Sequence, residues 1–146
     1  MGTIFHLSYP VENIPETKRF YVEGLGCGVG REGKGSLILN LQGHQLVAHV
    51  VDVSEAPQKG IYPRQFGITF ETEQAWEDCL ARAEQQALTF YQQPKHRFKG
   101  ERIEHRTFFL EDPFHNLLEF KYYVYPSAVF GELQYSKVGE TETAKI

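Results

Sequence analysis

Cysteine is scarce in this chain: Cys27 and Cys79 are the only two in 146 residues, far apart and outside any paired motif. That usage carries no disulfide framework and reads as a reduced, cytoplasmic protein. Basic residues are not concentrated anywhere. Lys and Arg are dispersed and the formal charge is -4, so no stripe suits a polyanion and nucleic acid is not an expected partner. Long apolar runs are missing too. None approaches the roughly 18–20 residues needed to cross a bilayer, so no membrane association is expected. The opening Met1-Gly2-Thr3-Ile4-Phe5-His6 lacks the basic start and apolar stretch of a secretory signal. Gly2 follows Met1, but residues 3–6 read as the start of a strand, which argues against a myristoylation signal.

What is present is an apolar supply sufficient for one compact domain: 41% hydrophobic residues, with 11 Phe and 8 Tyr. Its arrangement repeats. Residues 3–11 alternate, with Phe5, Leu7 and Tyr9 on one face and Ile4, His6 and Ser8 on the other, which predicts a strand. Asn13 offers an N-cap, with Pro15 in the first turn and Glu16 three residues after the cap. They open a helix carrying Ile14, Phe20, Tyr21 and Leu25, which Gly24 and Gly26 stop. Strands are expected near 27–31, 36–41 and 45–53, with Gly33-Lys34-Gly35 and Gln42-Gly43-His44 as turns. A linker-like stretch follows to Pro63, and then the pattern restarts. Residues 65–71 form a strand with Phe66, Ile68 and Phe70 on one face. Thr72 caps a helix whose Trp76, Leu80, Ala83 and Ala87 make a buried stripe. Strands are expected at 89–93, 104–110 and 116–124, with Asp112-Pro113 as the last turn.

A period of about 60 residues, βαβββ in each half, is an internal duplication of one supersecondary unit. The expected fold is α+β: two βαβββ modules, at about 3–53 and 64–125, pairing into a curved mixed sheet around a cavity. A single domain then spans 1–130, and 131–146 is a polar C-terminal tail whose end reads as frayed. One helix per module leaves one face of each sheet uncovered, and the polar strand residues should point to that side.

Three metal-capable groups fall on that side of three strands. His6 shares a face with Ser8; His49 alternates with Val47 and Gln45, opposite Leu46, Ala48 and Val50; Glu119 lies opposite Leu118, Phe120 and Tyr122. A strand histidine or glutamate taken singly is more often a solvated or structural residue, and it is the convergence of three that points to a site. Matching the apolar faces of the two modules pairs Glu119 with Val47, two residues before His49, so the register of His49 stays open. Two imidazoles and one carboxylate with open positions suit Fe(II) or Mn(II). His105, just before the strand 106–110, is a candidate acid/base group reaching the cavity. His44 reads as a turn residue bonded to backbone, and His96 and His115 as loop residues. Tyr122, Tyr123 and Tyr125 read as packing.

The run Phe5-His6-Leu7-Ser8-Tyr9-Pro10-Val11 with Phe20-Tyr21 and Leu25-Gly26-Cys27, and the closing run from Phe108 through Asp112-Pro113 to Asn116-Leu117-Leu118-Glu119-Phe120, resemble the vicinal-oxygen-chelate proteins: the glyoxalase, bleomycin resistance and extradiol dioxygenase family. The resemblance spans about residues 3 to 125, and Gly43 to His49 resembles a dioxygenase-like branch. It implies ligands on the first and last strands of each module, that is His6, His49 and Glu119. A fourth position, where related enzymes often carry histidine, holds Gln65 here. Glutamine is a ligand in some glyoxalase-type members, and with it the set suits Zn(II) or Ni(II) Lewis-acid chemistry. The implied function is a metal-dependent, dioxygenase-like homodimer acting on a small molecule with vicinal oxygens. A glyoxalase-like lyase or isomerase, and a non-catalytic drug-binding protein, are the alternatives.

Overall fold

A computed structural model describes residues 2–53 and 56–142, the last two by their backbone only. The order is β1 (His6–Val11), α1 (Ile14–Lys18), β2 (Gly28–Glu32), β3 (Ser36–Leu41), β4 (His44–Val50), β5 (Phe66–Phe70), α2 (Glu73–Gln85), β6 (Phe90–Arg97), β7 (His105–Glu111) and β8 (Leu117–Tyr123). A short hairpin, β9 (Lys137–Val138) and β10 (Thr141–Glu142), ends it. The expected βαβββ repeat is there. Each module is a four-stranded mixed sheet, ordered β1-β4-β3-β2 in module one and β5-β8-β7-β6 in module two. In each, the first strand runs parallel to the last and the remaining pairs are antiparallel.

Local chemistry accounts for the elements. The side chain of Asn13 accepts from the Glu16 N–H at 2.8 Å, and Glu16 in turn accepts from the Asn13 amide at 2.8 Å, a reciprocal cap. The helix it opens is not uniformly α: after Lys18 it widens into a π-helical turn over Arg19–Gly24. Thr72 caps α2 through the Ala75 N–H at 3.1 Å.

Two segments depart from expectation. Strand β6 runs to Arg97, so His96 lies on a strand and bonds Glu104. Register shifts fall between Phe90 and Gln92 and again between Gln92 and Lys95, and they interrupt the alternation around Gln92. The tail also turns back on module two through residue 142. The part of the expected frayed end that follows residue 142 lies outside the described residues.

The apolar faces of both sheets contribute to one core cluster, with Tyr21, Trp76, Phe108, Leu118 and Phe120 among its most buried members. Edge strands β1 and β5 meet through the rings of Tyr9 and Phe66, 5.2 Å apart. Polar bonds lock the same seam. The Tyr21 hydroxyl donates to Asp112 at 2.7 Å, and the Asn116 amide donates to the Pro10 carbonyl at 2.9 Å. Asp112 also accepts from the N–H groups of Phe114 and Asn116, so the Asp-Pro…Asn motif is a turn that holds the two modules together. Burial raises the Asp112 carboxyl above its ordinary range, against the pull of the Tyr21 and Asn116 bonds.

Candidate functional site

With the apolar faces joined in the core, the polar faces of the two sheets are left open. On module two that face is built row by row. Glu119 lies beside Gly67 on one side and Phe109 on the other; Lys121 pairs with Thr107, which pairs with Lys95; Tyr123 pairs with His105, which pairs with Arg97. The alternation of β7 and β8 sends Phe108, Leu110, Leu118 and Phe120 into the core and this set away from it.

Glu119 is the centre of the face. It is buried, its carboxylate accepts from the Thr107 hydroxyl at 2.6 Å, and Arg97 and Lys121 approach it at 3.7 and 3.9 Å. Gln65, Gly67, Thr69, Glu119 and Lys121 share one small cleft. Gln65 donates its amide to the Ile61 carbonyl at 2.9 Å, which leaves its oxygen uncommitted by that bond. His105 is almost fully buried. Its Nδ1 lies 2.9 Å from the Ile103 carbonyl, so that nitrogen carries the hydrogen, and Nε2 is left to accept from Arg97 at 3.4 Å. Desolvation first, then the charges of Arg97, Lys121 and His96, push its pKa down to about 4, against the bond to Ile103. It stands in the site as a neutral ring.

The other expected residues lie on module one. His6 and His49 are both exposed on its open face. In the β1–β4 register His6 stands opposite Gln45 and His49 opposite Pro10, an offset of four residues, or roughly 13 Å along the strand. That is too far for two imidazoles whose nitrogens must each come within about 2 Å of one ion. The residue that matches Glu119 in module one is Val47, opposite Ser8 as Glu119 is opposite Gly67. Among the described residues no three of His, Cys, Asp and Glu converge on a place able to hold a metal. One chain alone therefore does not offer the donor set that the resemblance implies. His44 opens β4 rather than lying in the turn before it, and it accepts from the Phe5 N–H at 3.2 Å, the backbone bond expected of it. Cys27 and Cys79 are free, and burial pushes both thiols up to about 12, which leaves them inert.

Arg97, Thr107, Lys121 and Gly67 were not singled out from sequence. Glycine at 67 has a steric reason: a Cβ there would collide with the backbone carbonyl of Glu119. The chains of β5 and β8 come together at the point where the Glu119 side chain emerges. Gly67→Ala should therefore cost about 1–3 kcal/mol in thermal unfolding and weaken whatever Glu119 binds. Thr69→Ala, on the same strand and face, should leave stability nearly unchanged. Unchanged stability of Gly67→Ala would show that β5 can shift without consequence.

The same architecture recurs in solved structures. A glyoxalase/bleomycin resistance protein/dioxygenase from Alicyclobacillus acidocaldarius is 39% identical, with a TM-score of 0.84, 88% of this chain covered and 97% of that one. An integron cassette protein from the mobile metagenome of V. cholerae is 25% identical, with a TM-score of 0.58, over 84% of this chain and 96% of that one. A genomically encoded fosfomycin resistance protein from Listeria monocytogenes shares the fold at 12% identity, with a TM-score of 0.67, over 88% of this chain and 98% of that one. No match is found among curated proteins. The profile of the glyoxalase/bleomycin resistance protein/dioxygenase superfamily matches residues 3–120, both βαβββ modules and the turn that joins them, and the chain belongs to that family.

Proposed function

We propose that this chain is a metal-dependent enzyme of the dioxygenase-like kind, acting on a small substrate with vicinal oxygens, whose site two copies complete together. The observation that supports this is the division of donors. The carboxylate of Glu119 and the amide of Gln65 share a cleft on the open face of module two, while the imidazoles lie exposed on the open face of module one. A homodimer that sets one copy's module one against the other's module two would unite them. The exposed apolar Ile4, on the side of His6, gives module one an apolar contact there. The offset of His6 from His49 allows only one of them at a single ion, and we place His6 there, as the family motif does.

Bound among His6, Glu119 and an open position, Fe(II) or Mn(II) would supply a Lewis acid for the paired substrate oxygens; with Gln65 as a further ligand, Zn(II) or Ni(II) would do so. The chain's own residues do the rest. Thr107 orients the Glu119 carboxylate, and Gly67 lets β5 close against it. Arg97 and Lys121 set a positive potential over the substrate. His105, neutral near pH 7, is positioned to take a proton at Nε2 once Arg97 turns to the substrate. Its free thiols suit work in the reducing cytoplasm.

Metal content and molecular mass of protein purified without chelator test this reading. Wild type should be a dimer with close to one equivalent of divalent metal per chain. His6→Ala and Glu119→Ala should lose metal affinity by tenfold or more, and His49→Ala should keep it. Full occupancy in the first two variants would overturn the assigned site. A non-catalytic binding protein is the second reading, favoured by the partners Glu119 already has: a carboxylate bonded to Thr107 and flanked by two cations is satisfied without a metal. Metal-free wild type that still binds a planar aromatic compound would establish it.

A further inference from the structure

Residues 131–142 run back over the open face of module two and put one carboxylate on its cations. Glu140 lies 3.0 Å from Lys95 and 3.9 Å from Arg97, and the Glu140 N–H donates to the Tyr62 hydroxyl at 3.0 Å. Upstream, Lys137 sits 5.0 Å over the Phe98 ring and 3.8 Å from Glu101. Gly139, at φ +73, makes the turn that brings Glu140 in, and a side chain there would collide with the Tyr62 hydroxyl. The same segment roofs a cavity of about 310 Å³ whose floor is His105 and Tyr123 and whose walls include Phe98, Leu133 and Val138.

The charges under this segment do not balance without it. Among the described residues of the face itself, Lys95, Arg97 and Lys121 stand against Glu119, since His105 is neutral, and Arg97 is only 6% exposed. Among the described residues, the buried Nε of Arg97 has no hydrogen-bond partner. A buried guanidinium with one donor unpaired is costly unless some acceptor comes to it. Glu140 meets that need only in part, because its nearest approach to Arg97 is 3.9 Å, beyond a hydrogen bond.

We infer that this face holds an organic carboxylate, its acid group on Arg97 and Lys95 and its apolar body in the adjoining cavity, and that Glu140 is a built-in competitor for the same cations. The inference rests on the reading that module two's open face is the ligand site, and it requires no metal. The tail then acts as a displaceable cover: a small carboxylate that fits lifts Glu140, and a neutral analogue does not.

Benzoate is the probe, with benzyl alcohol as its neutral counterpart, titrated into full-length, chelator-treated protein while the Arg97 Nε–H resonance and the backbone amides of 137–142 are followed by NMR. Wild type should bind benzoate, with shifts at Arg97 and in the tail, and should bind benzyl alcohol far more weakly. Glu140→Gln should tighten benzoate roughly fivefold, the release of an exposed ion pair's worth of competition, and leave benzyl alcohol unchanged. Arg97→Gln should abolish benzoate binding. Lys95→Gln, at an exposed position, should weaken it severalfold and keeps the question open to test if Arg97→Gln does not fold. Equal benzoate affinity in wild type and Glu140→Gln would overturn the competitor role, and benzoate binding retained in Lys95→Gln at full strength would overturn the site. Neither result touches the metal content of His6→Ala and Glu119→Ala, which decides the enzyme reading separately.

Discussion

Trp76→Ala should destabilise the protein by about 4 kcal/mol, within the range for removing a large buried aromatic. Trp76 is fully buried at the centre of the core, its ring 5.5 Å from that of Phe108 and under the guanidinium of Arg106 at 4.2 Å. Its Nε1–H donates to the Phe120 carbonyl at 2.8 Å. The substitution thus opens a cavity and breaks a bond from α2 to the backbone of β8, the strand that carries Glu119 on its other face. Against a typical domain stability of about 5–15 kcal/mol that is a large fraction. For a chain of this length it should lower the melting temperature by roughly 15 °C. Circular dichroism is the right measurement, because Trp76 is the only tryptophan and its loss removes the fluorescence signal. Trp76→Phe keeps most of the packing and gives up the hydrogen bond, so it should cost about 1–2 kcal/mol. A loss below about 1 kcal/mol in Trp76→Ala would mean that α2 is not anchored to the sheet through this residue.

The helices and most of the strands could be read directly from the sequence because their causes are local. Asn13 and Thr72 cap where they stand, and the alternation of 117–123 depends only on which neighbour is apolar. The same alternation was enough to put Glu119, His6 and His49 on open faces. It could not say which of them meet. That depends on the pairing register, and the β1–β4 register sets His49 opposite Pro10, a full four residues from His6. Arg97 and Lys95 escaped notice because the expected strand stopped at 93, before Pro94 and the charged run beyond it; the two bulges in β6 shift the phase at Gln92 and restore it by Lys95. Gly67 carries no side chain for any pattern to register. The tail could not be read either, because its place rests on single polar contacts with Tyr62, Lys95 and Arg97, each more than 40 residues distant in the chain; composition shows only that the segment is polar.

His105 should make the protein acid-sensitive in a definite window. Its ring is neutral in the fold, with a pKa near 4, whereas in the unfolded chain it returns to about 6.5. The unfolded state therefore binds a proton that the native state refuses. Stability from this group is complete above pH 6.5 and falls as pH drops towards 4. The loss should reach about 2 kcal/mol by pH 5 and about 3 kcal/mol by pH 4. Asp112, whose carboxyl is raised by burial, works in the opposite direction in part of the same range, so the raw profile is a sum. The difference between wild type and His105→Gln isolates the histidine. Glutamine can still donate to the Ile103 carbonyl and accept from Arg97, but it does not titrate. Chemical unfolding at pH 7, 6, 5 and 4 should show the wild type losing stability relative to the variant across the interval, and parallel curves would mean that His105 protonates in the fold as easily as in water. Protonation has a second consequence at the same atom. Nε2 is the acceptor for Arg97; once it carries a hydrogen, the two groups repel, and Arg97 must turn to Glu119, to Glu140 or to a bound carboxylate. Acid should thus first disturb the cation on which the ligand face depends, before the fold itself gives way.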